Sequence, residues 1–120
     1  MKSLMVVSSE DFWIQLRKRT RVNGTTGRGF CDFWCDDALQ LLPLELRYLF
    51  EKRTVFNFDS ELLLNHKLFY HQWIETPNGT SARFIADGTA GQIFPEYFEG
   101  YYGFYDQSPP ELRKFYSPAL

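Results

Sequence analysis

The apolar periodicity of this chain changes near its middle, and that change constrains the fold more than any other feature. In the first half, apolar residues recur at spacings of three and four: Phe12, Trp13 and Leu16 in one run, then Cys31, Trp34, Cys35, Ala38 and Leu42 in another. Such spacing lines side chains along one face of an α-helix. In the second half, Thr54-Val55-Phe56-Asn57-Phe58 is rich in β-formers, and Lys67 to Glu75 and Ser81 to Asp87 read as strands. Pro77-Asn78-Gly79 supplies turn chemistry between the last two, so they are expected to pair antiparallel. Helices followed by strands imply an α+β fold, with N-terminal helices, including the one that opens at Cys31, packed on a small antiparallel sheet. A length of 120 residues, 44% of them hydrophobic and 18% aromatic, fits one compact domain over residues 1–120 with ample material for a core.

The first helix is expected over about Ser9 to Thr20, with Ser8 or Ser9 as N-cap and Glu10 and Asp11 in the first turn. It closes in Arg17-Lys18-Arg19-Thr20-Arg21. Cations there complement the helix dipole, and with a formal net charge of −2 the run reads as a solvated helix end rather than a phosphate or nucleic-acid contact. Val22 to Gly29, with three glycines and two threonines, reads as a loop; it lacks the lysine arrangement of a phosphate-binding loop. Pro43 separates the Cys31 helix from a second, Leu44 to Lys52, whose Leu46, Leu49 and Phe50 face a core. Leu62-Leu63-Leu64 fits a short helix or a strand, and Glu111 to Tyr116 a C-terminal helix. Met1 to Val7 holds only a four-residue apolar stretch, too short for a signal-peptide core or a membrane span. The expectation is a cytoplasmic protein where it is made, with no membrane or nucleic-acid partner. Two cysteines four residues apart are no disulfide framework, so free thiols are expected.

One of those thiols stands where chemistry is possible. Cys31 follows a glycine-bearing loop and opens a helix, and the positive end of a helix favours thiolate, the reactive form. Backbone N–H groups at that end lack partners within the helix and can face a developing oxyanion. His71 lies seven residues before Asn78 and Asp87 nine after it, so the two strands can bring them together. A nucleophile, a base and an orienting acid therefore follow one another along the chain.

Gly29-Phe30-Cys31-Asp32 with the Ala38-Leu39 helix, then His71-Gln72-Trp73-Ile74-Glu75, then Asp87-Gly88-Thr89-Ala90-Gly91-Gln92 resembles the transglutaminase-like and papain-like superfamily. In such proteins G-x-C opens the nucleophile helix, H-x-W-x-E carries the base, and D-x-T on the next strand carries the acid. The resemblance spans roughly residues 29 to 94. It implies Cys31 as nucleophile, His71 as general base and Asp87 as orienting carboxylate, on a papain/transglutaminase-like core that needs no cofactor. The implied reaction is acyl transfer from an amide through a thioester, on a protein or peptide substrate. Water completes peptide hydrolysis or glutamine deamidation; an amine completes transamidation. Gly88 stands where many members carry proline, and a G-I-P-A-R type segment is missing, so no subfamily is implied. The small size fits an effector, toxin or phage-type enzyme delivered elsewhere, or a fold that has lost activity.

Other roles compete for the same residues. Asn23 and Gln15 are the side-chain amides considered as oxyanion donors, beside the Cys31 N–H. Trp73 reads as packing support for His71, and Gln92 as a possible brace for Asp87. Cys35, one turn beyond Cys31, reads as core, and His66 as a surface or turn residue. Cys31, Cys35, His66 and His71 lack the paired spacing of a zinc site, so no metal is expected. The alternative to an enzyme is a catalytically inactive protein-binding module or inhibitor. It would use the tract Phe94 to Tyr105, where Phe94, Tyr97, Phe98, Tyr101, Tyr102, Phe104 and Tyr105 crowd together.

Overall fold

The computed structural model describes residues 7–76 and 83–117. Helices α1 (Glu10–Arg17), α2 (Cys31–Leu41) and α3 (Leu44–Arg47) come first, and then strand β1 (Glu51–Phe56) and the short helix α4 (Glu61–Asn65). Strands β2 (Tyr70–Glu75), β3 (Phe84–Asp87) and β4 (Tyr101–Phe104) follow, and α5 (Pro110–Phe115) closes the described chain. The fold is α+β: the four strands form one antiparallel sheet in the order β1-β2-β3-β4. Among the described residues no helix is long and apolar enough to cross a membrane.

Several boundaries move from those the sequence suggested. The expected helix Leu44 to Lys52 stops at Arg47, because Glu51 and Lys52 pair with Glu75 and Ile74 in the sheet. Sheet pairing, together with the Lys52–Asp36 ion pair at 2.5 Å, outweighs local helix preference there. Leu62-Leu63-Leu64 is helical, capped by the Ser60 hydroxyl, which accepts from the Leu63 N–H. The Pro77-Asn78-Gly79 turn and the first two residues of the expected strand from Ser81 lie outside the described residues.

Arg17 is the sharpest correction. It is no solvated helix end; its side chain is buried, donates from Nε to the Gly88 carbonyl at 2.7 Å and also bonds the Thr25 carbonyl. The cation thereby ties α1 to the turn that follows β3. Burying a guanidinium is costly unless its donors find acceptors, and two carbonyls meet that need here.

The sheet is covered on both faces, which explains why all four residues of β3 are buried. On one face Ile74, Phe84, Ala86 and Tyr102 meet Trp13 of α1 and Trp34, Cys35 and Ala38 of α2. On the other, Trp73 and Ile85 meet Leu63 of α4 and Leu112 and Phe115 of α5, with Ile93, Phe94 and Tyr116. The alternation of β2 and β3 thus feeds two apolar clusters where the sequence suggested one core. Most of the aromatic tract from Phe94 is spent on them: Phe94 and Tyr102 are buried, Tyr97, Tyr101, Phe104 and Tyr105 pack against them, and Phe98 stays exposed.

Trp13 anchors the first cluster. It is fully buried, contacts the rings of Phe12, Trp34, Phe50, Phe84 and Tyr102, and donates from Nε1 to the Val7 carbonyl at 2.6 Å. Trp13→Ala is expected to cost about 3–5 kcal/mol in urea unfolding, a large share of a small domain's stability. A loss below about 1 kcal/mol would show that the cluster does not hold the helical layer to the sheet.

Candidate active site

The site assembles where β2, β3 and the start of α2 meet. β2 and β3 pair through Ile74–Ala86 and Glu75–Ile85, and continuing that register sets Asp87 on the same face as His71, one diagonal step away. The His71 Nε2–H donates to Asp87 Oδ2 at 2.6 Å, with both side chains fully buried.

Asp87 is held by more than the imidazole. Its Oδ2 also accepts from the Tyr116 hydroxyl at 2.5 Å, while Oδ1 accepts from the Thr89 backbone N–H at 3.1 Å and the Thr89 hydroxyl at 3.4 Å. A buried carboxylate is tolerated only when its lone pairs are met, and here four donors meet them. Burial and the neighbouring Asp87 charge push the Tyr116 phenol well above its ordinary range, so it stays a protonated donor.

The other ring nitrogen, Nδ1, accepts from the Gln92 amide nitrogen at 2.6 Å, and the Gln92 carbonyl oxygen accepts from the Gly29 N–H at 3.3 Å. Gln92 therefore links the imidazole to the loop that leads into Cys31. Gly29 has φ +81, a conformation glycine adopts freely, and this turns its N–H toward that acceptor. In the same loop Gly27, at φ +76, packs so closely on Thr89 that a Cβ would collide with its methyl group. The loop before Cys31 is thus keyed to the turn that follows Asp87.

Cys31 opens α2 and is buried, 3% exposed. The first intrahelical bond of α2 is Trp34 N–H to the Phe30 carbonyl, and no side chain caps this end, so the preceding N–H groups at Cys31, Asp32 and Phe33 have no partner within the helix. Cys31 is close enough to His71 to act on it by a side-chain hydrogen bond and by charge. Burial disfavours a charged imidazole at His71, but Asp87, by charge and hydrogen bond, and Cys31 outweigh it and raise the pKa from 6.5 to about 9. The thiol of Cys35 is fully buried in the helical core, and burial pushes its pKa well up, which leaves it the inert one of the pair.

The structure brings together Cys31, His71, Asp87 and Gln92, with Gln92 bracing His71 instead of Asp87. Trp73 is a packing residue whose ring centroid lies 6.1 Å from that of His71 and whose Nε1 donates to Glu75. Gln15 and Asn23 are exposed, and Asn23 lines a recess with Arg17 and Phe98. His66 ends α4, its Nδ1 at 2.8 Å from the Leu62 carbonyl, and among the described residues no group of three His, Cys, Asp or Glu side chains could hold a metal. Tyr116 and Thr89 were not singled out from the sequence. Tyr116 sits four residues beyond the buried Leu112, a spacing that marks the inward face of a helix, though nothing in it foretells the hydroxyl's partner.

The folded pKa of His71 lies above its unfolded value, so the charged pair stabilises the fold fully below about pH 6.5 and that stabilisation is lost as pH rises through about 9. NMR titration of the His71 ring is expected to give a midpoint near 9, and Asp87→Asn to lower it, because burial is then opposed by Cys31 without the carboxylate. A wild-type midpoint at or below 6.5 would contradict this balance. Compared with known proteins, the chain matches no family model, no curated protein and no solved structure.

Proposed function

We propose that this protein is a thiol-dependent acyl-transfer enzyme of the transglutaminase-like and papain-like kind, acting on amides of a protein or peptide. The observation that carries the reading is the buried His71–Asp87 pair at 2.6 Å, with a cysteine at a helix N-terminus acting on the same ring. A histidine raised to about 9 is basic enough to take up and keep a proton from the neighbouring thiol.

In the proposed reaction the Cys31 proton passes to His71 Nδ1, and the thiolate attacks the amide carbonyl carbon to form a C–S bond. The carbonyl oxygen becomes an oxyanion facing the free N–H groups at the start of α2. His71 then protonates the departing nitrogen as the C–N bond breaks, leaving a thioester and a free amine or ammonia. Water or a second amine, deprotonated by His71, attacks the thioester and returns the thiol. Asp87 fixes the tautomer with Nε2–H directed at itself and steadies the imidazolium. Once Nδ1 carries a proton, the Gln92 amide nitrogen can no longer donate to it. That amide is then free to turn toward the oxyanion, which makes Gln92 a better candidate donor than Asn23 or Gln15.

One observation favours a second reading. Cys31 is only 3% exposed, so a substrate reaches its sulfur only after covering groups move. An inactive binding module has no such requirement.

p-Nitrophenyl acetate, a small activated acyl donor, separates the two. The enzyme reading expects a stoichiometric burst of nitrophenolate with an acetyl group on the Cys31 peptide, absent in Cys31→Ala. In His71→Ala the burst is expected to slow by roughly 10²–10⁴-fold, with circular dichroism reporting an intact fold. Acetylation at other positions only, or an undiminished rate in His71→Ala, would remove the enzyme reading.

A further inference from the structure

We propose that the groove between β1, α4 and α5 binds an extended peptide segment bearing an arginine, which adds to the sheet along the free edge of β1. β1 is an end strand, and among the described residues all its ladder pairing is with β2. Such an edge offers unpaired backbone donors and acceptors, the template for adding a strand. A cavity of about 900 Å³ runs along it, walled by Val55 and Phe56 of β1, Leu62 of α4 and Phe115 of α5. Its size matches a ligand site rather than a packing defect.

The charges select the occupant. Among the described residues, Asp59, Glu61 and Glu111 line the groove against one cation, Lys114, so that lining carries three carboxylates to one ammonium. Phe56 of the groove wall is 46% exposed and stacks parallel on Phe58, 77% exposed, with centroids 5.5 Å apart and 2° between planes. Carboxylates beside open aromatic faces suit a guanidinium, which takes bidentate hydrogen bonds through its fork and stacks on rings. Glu61 and Glu111 also stand in the first turns of α4 and α5, where acids complement the helix dipole. That local role leaves the exposed parallel phenylalanines unexplained.

The groove shares its inner wall with the candidate active site. Val55 pairs directly with His71, and the Phe115 ring lies 5.6 Å from the His71 ring, centroid to centroid. Calling the bound segment the substrate rests on the proposed acyl-transfer function; its binding at β1 does not.

The full chain carrying Cys31→Ala, which prevents turnover, can be titrated by fluorescence anisotropy with a labelled peptide alternating threonine and valine around one central arginine. Saturable binding is expected, with the arginine-to-glutamate peptide at least about tenfold weaker and backbone N-methylation of the peptide abolishing binding. Glu61→Gln with Glu111→Gln is expected to weaken the arginine peptide by about fivefold, and NMR shifts on binding should fall on Thr54 to Phe56. Equal affinity for the arginine and glutamate peptides, shifts elsewhere, or self-association of the chain through β1 without peptide binding would overturn the proposal. Peptide binding without acylation of wild-type Cys31 would count against the enzyme reading alone, and acylation without peptide binding against the groove alone.

Discussion

A carboxylate buried without solvent is the constraint around which this molecule is arranged. Asp87 is fully buried, and leaving such a charge unpaired would cost several kcal/mol. Its four donors come from three places: His71 from β2, Tyr116 from the end of α5, and two from Thr89 in the turn after β3. Satisfying one charge therefore ties the sheet and the C-terminal helix together. It also sets the chemistry of the imidazole, because the same carboxylate that needs a proton donor stabilises a positive ring.

A second bonded layer lies behind Asp87. Glu75, also buried, takes a two-point contact from Arg83, with Nε at 2.6 Å from Oε2 and the NH2 group at 2.7 Å from Oε1. The same Arg83 donates to the Tyr116 carbonyl at 2.6 Å and lies over the Tyr105 ring. Tyr116 is thereby fixed at its backbone by Arg83 and at its hydroxyl by Asp87. His71, Trp73 and Glu75 occupy one face of β2, so the strand's alternation places imidazole, packing ring and network acid in a single buried row.

Much of this was legible in the sequence, for identifiable reasons. The spacing of Trp34, Cys35 and Ala38 placed α2 and its N-terminal cysteine, because helical periodicity survives in a single sequence. Alternation in His71-Gln72-Trp73-Ile74-Glu75 and the count around the turn placed His71 near Asp87. The failures have a common cause, since each depended on a partner far along the chain. Arg17 read as a surface cation because its acceptors, Gly88 and Thr25, become neighbours only in the fold. Lys52 read as helical because its β2 partner is 22 residues away. Gln92 was matched to Asp87, five residues off, when its real partners were His71 and Gly29. Gln15 and Asn23 read as upstream amides, with nothing in the spacing to show that both are exposed.

The central claim is that Asp87 governs the reactivity of a cysteine it reaches only through His71. Carbamidomethylation of Cys31 by iodoacetamide at neutral pH, followed by peptide mass spectrometry, tests that relay directly when wild type is compared with Asp87→Asn. The account predicts that Cys31 reacts ahead of the buried Cys35, and that Asp87→Asn slows it by at least about tenfold while the fold persists. Equal Cys31 rates in the two proteins would contradict it.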